Sequence, residues 1–236
     1  MPFTTHLGEL RSCLIISFLA LIAAFLGCFS FAEKIFSFLS NPLLQVQDGG
    51  FTLIGTGVPE ALFTKLKVSL IASILLSSPV ILWQAWRFIA PGLYAHERRY
   101  TRGFVFFGTL LFSLGAWFCY EVVFQMGFSF FLTRYEALDV RPAIRTGEYL
   151  SFASKMLLAF GIAFELPVVA YFLARVGLID HLFLIRHFRY TILLIFLLAA
   201  ILTPPDVVSQ VLLALPLTFL YGISIGVAYW ASQKQR

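Results

Sequence analysis

Long apolar runs alternate with short polar breaks along this chain. Six runs stand out, at residues 14–31, 68–89, 103–124, 150–174, 190–202 and 207–230. Most approach or exceed the ~20 residues that cross ~30 Å of hydrocarbon as a helix. The breaks read as helix punctuation. Pro91-Gly92 stops the second run, because proline lacks a donor N–H and glycine accepts the cap conformation. Pro79 lies inside the second run and should bend it, because its ring removes one backbone hydrogen bond. The pattern predicts an all-α membrane protein: one integral-membrane domain over residues 1–236 with six transmembrane helices.

The connecting segments differ in kind. Phe3, Leu7, Leu10 and Leu14 recur at i, i+4, i+7 and i+11, which is one helical face. That spacing predicts a surface segment that turns inward at the first span, with Glu9 off the apolar face. Residues 33–65 carry turn signals at Asn41-Pro42, Asp48-Gly49-Gly50 and Gly55–Pro59, so short helices and loops are expected outside, with a helix starting near Val58-Pro59-Glu60-Ala61. Residues 127–149 read as a second external loop, and Arg175–Arg189 as a second cytoplasmic one. The fifth run is short: residues 191–202 rise only about 18 Å at 1.5 Å each. The Thr203-Pro204-Pro205-Asp206 turn follows it. Asp206 is placed to cap the last helix, and Gln210, one turn on, adds a second polar group.

Composition agrees with a bilayer. Of 236 residues, 60% are hydrophobic and 12% charged, and the mean hydropathy is +0.89. The net charge of +5 belongs to basic loops and is no argument for nucleic acid. Arg11, Arg87, Arg98, Arg99, Arg102, Arg175, Arg186, Arg189, Lys234 and Arg236 gather on one side, which the positive-inside rule makes cytoplasmic together with both termini. No small-residue cleavage motif follows the first run, so no cleavable leader is expected. Cys13, Cys28 and Cys119 lie in or beside apolar runs without CxxC spacing, as packed thiols do.

Three features resist a purely architectural reading. Glu165 interrupts a nearly continuous apolar stretch, at a cost on the order of 3 kcal/mol for a central charge, and such residues face a bundle interior or a wet cavity. The fifth run is too short for the bilayer, which must thin there or be left partly uncrossed. Glu9 and Glu97 stand on a face where Asp180 is the only other acid. Glu97, in FIAPGLYAHERRYTR (residues 88–102), either pairs with its neighbouring arginines or receives a cationic ligand. Two carboxylates on a basic face suit a ligand with two guanidiniums, since arginine binds carboxylates bidentately.

Catalysis finds no support. His96-Glu97-Arg98-Arg99-Tyr100 misses HExxH because tyrosine replaces the second histidine, there is no GxSxG stretch, and His6, His181 and His187 lack ligand spacing. No enzyme, metal or cofactor is therefore expected. A proton-coupled secondary transporter is the alternative function, since such proteins carry intramembrane carboxylates and broken helices. Against it, the first and last three spans show no repeat, and only one acid lies deep.

The residues carrying a family resemblance run nearly end to end. They are His6-Leu7 and Glu9-Leu10-Arg11, Ser78-Pro79-Val80-Ile81-Leu82, Phe88–Tyr94 with Glu97-Arg98-Arg99, Ala159–Pro167, and Thr203–Gln210. In combination they resemble TatC, the C subunit of the twin-arginine protein translocase. The resemblance implies a six-helix, concave, glove-shaped bundle in the cytoplasmic (inner) membrane, with the last two helices short. It implies a receptor and scaffold that binds Arg-Arg signal peptides of folded proteins at Glu9, Glu97, Arg11, Leu93, Tyr94 and Arg98. Glu165 would polarise the concave face. Pro204, Asp206 and Gln210 would lie at a docking edge for TatA-like and TatB-like single-span partners, within a complex holding several copies of the chain. Gln125, where relatives often have proline, and Val58, where serine is common, depart from the family pattern.

Overall fold

The computed structural model describes residues 3–45, 52–89, 101–136, 142–203 and 207–233. The Asp48-Gly49-Gly50 and Pro91-Gly92 turns, the Pro204-Pro205-Asp206 turn and the basic tail lie outside the described residues. The helices are α1 (Phe3–Ser30), α2 (Ala32–Gln45), α3 (Glu60–Ile89), α4 (Thr101–Phe118), α5 (Phe124–Glu136), α6 (Thr146–Phe164), α7 (Leu166–Arg175), α8 (His181–Arg186), α9 (Phe188–Leu202) and α10 (Val207–Gln233), with a π-helical turn at Cys119–Val123. Among the described residues, five apolar helical stretches are long enough to cross a membrane, and α9 is a shorter sixth. Two compact units form, one from residues 1–40 and 55–110, the other from residues 41–54 and 111–236.

In the first unit α1 packs along α3. The more buried positions of α1 are Cys13, Ser17, Ala20, Ala24 and Cys28 with Leu21 and Phe25, and those of α3 include Ser69, Ser73 and Ser77 at four-residue spacing. Small residues let helix backbones approach where lipid supplies no hydrophobic drive. Each serine hydroxyl donates to a carbonyl of its own helix, Ser69 to Lys65 and Ser73 to Leu70 at 2.7 Å and Ser77 to Ile74 at 3.4 Å, so none of these hydroxyls is stranded. The rest of α1 exposes leucine, isoleucine and phenylalanine nearly all round, as a lipid-facing span must. The N-terminal segment does not turn before the span. α1 is one unbroken helix of 28 residues, because nothing between Glu9 and Leu26 punctuates it.

The start of α3 falls where the sequence placed it. Pro59 precedes the helix, and the Glu60 carboxylate reaches back to the amides of Thr56 and Gly57, the latter at 3.0 Å. Lys65 in the next turn donates to Glu33 of α2 at 2.6 Å. That bond, and then the lysine charge, hold the Glu33 carboxyl below its ordinary value. A depressed carboxylate pKa stabilises the fold above its unfolded value and ceases to do so as pH falls through the folded one. Glu33→Gln is therefore expected to lower the melting temperature in detergent slightly at pH 7, and by progressively less as the pH falls through the lowered carboxyl value. An effect that does not shrink on acidification would count against the pair.

The second unit corrects several expectations. The third span does not stop at Phe124. Residues 103–135 form one apolar helical stretch of 33 residues through the π-helical turn. The helix continues because Tyr120, Phe124, Phe128 and Leu132 keep a buried stripe at i+4, with Phe124 and Phe128 rings 5.4 Å apart. The fourth span is instead broken, α6 ending at Phe164 and α7 beginning at Leu166. The external segments are not wholly helix and loop: β1 (Thr52–Ile54) pairs in parallel with β2 (Ala143–Arg145), Leu53 opposite Ile144. Thr146 extends this tie by donating to the Ile54 carbonyl at 3.3 Å. Only one of the last two helices is short. α9 has 15 residues and rises about 22 Å. α10 runs 27 residues, since no polar or glycine cluster stops it and it continues through Pro216.

The core of the second unit is aromatic and closely packed. Phe118 lies 5.9 Å from Phe160 and 5.7 Å from Phe164. Gly115 of α4 and Gly161 of α6 sit where these helices meet. A Cβ at Gly115 would lie 2.6 Å from the Phe160 carbonyl oxygen, and one at Gly161 would lie 2.8 Å from the Phe112 ring.

Candidate functional site

Glu9 is half-buried on α1, two residues before exposed Arg11. Both sit on a continuous helix and so project from a rigid rod. Leu93, Tyr94, Glu97 and Arg98 lie outside the described residues. The feet of their connection are described: α3 ends at Ile89 and α4 begins at Thr101. Trp86 and Phe104, both buried, stack there with centroids 5.1 Å apart. This aromatic clasp ties the end of α3 to the start of α4.

Gln84 lies one turn before that connection and was not singled out from the sequence. It is 6% exposed, and its Oε1 has no hydrogen-bond partner among the described residues. A buried carbonyl oxygen left unmet costs ~1–3 kcal/mol. A lone glutamine amid Ser78–Trp86, otherwise apolar but for Ser78, was the available signal.

Glu165 occupies the break between α6 and α7. Its amide donates to the Ile162 carbonyl at 3.1 Å, and its carbonyl accepts from Val169 at 2.9 Å. Pro167 has no N–H to continue the ladder, which is why the helix is interrupted here. Ten residues separate Glu165 from Arg175, about 15 Å of helix. The residue is half-buried, and its Oε1 is buried without a hydrogen-bond partner among the described residues. Unmet hydrogen-bonding capacity at a helix break inside a membrane span is a point at which a polar group of a ligand can be received.

Gln210 is engaged within the protein. Its side-chain amide donates to the Phe196 carbonyl at 2.8 Å, locking α10 to α9. Thr203 closes the end of α9 by donating to Ala199 at 2.8 Å. Pro204 and Asp206 lie outside the described residues. The π-helical turn went unforeseen. It places half-buried Glu121 in the widened turn, beside Tyr120, whose hydroxyl bonds to Asn41. Among the described residues no three His, Cys, Asp or Glu side chains gather as metal ligands.

Comparison with known proteins is consistent across sequence and structure. The family model for "Sec-independent protein translocase protein (TatC)" matches residues 5–216. The chain is similar to a Sec-independent protein translocase protein TatC of Desulforapulum autotrophicum, 46% identical over 225 residues covering 95% of this chain and 83% of the relative. It is similar to that of Helicobacter pylori strain J99, 48% identical over 94% of this chain and 87% of the relative. A solved structure described as the twin arginine translocase receptor TatC superposes with a TM-score of 0.88 at 40% identity, covering 96% of this chain and 99% of that one.

Proposed function

The chain belongs to the TatC family of Sec-independent protein translocase proteins, and from that premise we propose that it is the receptor and scaffold subunit that binds Arg-Arg signal peptides of folded proteins on the cytoplasmic side of the inner membrane. The carrying observation is the pair of acids, Glu9 and Glu97, on a face whose other charges are nearly all basic. Each guanidinium fits a carboxylate with two parallel hydrogen bonds, and each such charged bond is worth roughly 1.5–3 kcal/mol net. Arg11, close to Glu9 in sequence, and Leu93, Tyr94 and Arg98, close to Glu97 in sequence, would complete the peptide's contacts. Arg11 and Arg98 also repel cations that lack a partner for both acids.

The apolar part of the signal peptide then enters the membrane, where Glu165 offers its unmet oxygen. With six crossings both termini would lie on one side, which the basic segments make the cytoplasm. α9, at about 22 Å, leaves ~30 Å of hydrocarbon incompletely matched. Thinning there lowers the cost of breaching the bilayer when TatA-like and TatB-like single-span partners assemble at the Pro204–Gln210 edge. The chain carries no nucleotide-binding motif, so the proton-motive force supplies the energy.

A direct test is retention of an Arg-Arg signal peptide against the same peptide with Lys-Lys. Lysine lacks the bidentate fork, so retention is expected to fall at least ~10-fold. Equal retention of the two peptides removes the proposed recognition.

A further inference from the structure

The turn joining α7 to α9 holds side chains that signal-peptide binding leaves unused. After α7, Gly177 takes φ +76°, and the Leu178 amide bonds back to Leu173 at 3.0 Å, so the chain reverses within a few residues. Asp180 caps α8 by accepting from the Phe183 amide at 2.7 Å. α8 is held from one side. Leu184 packs against Ala174, Ala228 and Ala231, and its carbonyl accepts from the Tyr221 hydroxyl at 2.9 Å. The His181 ring meets Tyr229 edge-on at 4.9 Å. His181 and Leu184 are three residues apart and share the inward face.

That arrangement turns the rest of α8 outward. Leu182, Phe183 and Ile185 are 56%, 47% and 51% exposed, and no residue of α8 is buried. Arg186 and Arg189 stand beside them, three residues apart. Arg186 makes no hydrogen bond or ion pair among the described residues. Arg189 lies over the Tyr190 ring at 4.7 Å and donates to its hydroxyl at 2.8 Å, which orients the guanidinium and leaves most of its donors unspent. The nearest acid in sequence, Asp180, already serves as the cap.

Water is the wrong medium for the three apolar side chains, and hydrocarbon alone is wrong for the two arginines. The edge of a bilayer serves both. We infer that α8 and the first turn of α9 form a docking surface for an anionic phospholipid. Arg186 and Arg189 take the headgroup phosphate, and the acyl chains cover Leu182, Phe183 and Ile185. Arginine presents the donor fork that phosphate oxygens match. An acidic protein segment would satisfy the arginines but leave the apolar triad uncovered.

The test uses the full chain in detergent, titrated with phosphatidylglycerol or phosphatidylcholine and read by native mass spectrometry. The wild type is expected to retain phosphatidylglycerol preferentially. Arg186→Gln with Arg189→Gln should weaken that retention by about 10- to 30-fold, and the double lysine variant should restore part of it. Should the double variant not fold, Arg186→Gln alone carries the test, since Arg186 makes no hydrogen bond or ion pair among the described residues. Undiminished phosphatidylglycerol binding in these variants overturns the inference. So does displacement of the lipid by inorganic phosphate or by polyglutamate at matching concentration, which would assign the arginines to a free ion or to an acidic chain. Arg-Arg signal-peptide retention should be unaffected by the variants, so the lipid surface and the peptide site stand or fall separately.

Discussion

Glu97→Ala is expected to lower affinity for an Arg-Arg signal peptide by about 10- to 100-fold, the equivalent of one charge-assisted bidentate contact. Glu9→Ala should cost a similar factor, because in the proposed complex each acid takes one guanidinium. Glu97→Gln separates two roles. If the carboxylate only neutralises Arg98 and Arg99, the glutamine variant loses some stability and keeps its peptide. If the carboxylate receives the peptide, binding falls while the melting temperature holds, since the helix ends flanking Glu97 in sequence are tied independently of it by the Trp86–Phe104 stack. The measurement is equilibrium binding of a fluorescent signal peptide to the purified chain, with thermal melting alongside. Unchanged affinity in both single variants and in the double variant removes the site.

Gly115→Ala should be the most destabilising single methyl in the second unit. Its Cβ would stand 2.6 Å from the Phe160 carbonyl oxygen and 2.7–2.8 Å from Phe164 side-chain atoms. The carbonyl belongs to the α6 backbone, so the contact is relieved only by moving a helix. Overpacking of this kind costs about 1–3 kcal/mol, a fall of several degrees in melting temperature for a chain of this size. Gly161→Ala meets ring atoms of Phe112 at 2.8–3.1 Å instead. A ring can turn aside, so the effect should be smaller. Phe164 immediately precedes Glu165, so displacement at Gly115 also shifts the intramembrane carboxylate, and Gly115→Ala should impair protein export beyond its loss of stability. Equal or reversed destabilisation of the two variants would contradict the crossing geometry.

The sequence by itself determined which runs are apolar enough to enter a membrane and what kind of protein this is. Hydropathy is a sum over neighbours, so runs such as Val207–Trp230 and the short Thr191–Leu202 are legible without any contact. The start of α3 at Glu60 was readable from Pro59, because proline acts on the hydrogen bonds of its own segment; the break at Glu165 was not read there, although Pro167 carries the same signal. The acids Glu9, Glu97 and Glu165 announced themselves by being rare where they stand.

Only the tertiary structure decided what depends on distant partners. Helix continuation from Phe124 to Glu136 rests on a stripe buried against other elements, which a loop-like composition of glycine and charge concealed. The parallel pairing of Thr52–Ile54 with Ala143–Arg145 joins segments about ninety residues apart, and no local pattern encodes such a register. Gln210 reads as a free polar group until its amide is found on the Phe196 carbonyl. The outward face of α8 exists because Leu184 and His181 are claimed by α10, leaving Leu182, Phe183 and Ile185 to the bilayer. Periodicity fixes which residues share a face; packing alone decides whether that face meets protein or lipid.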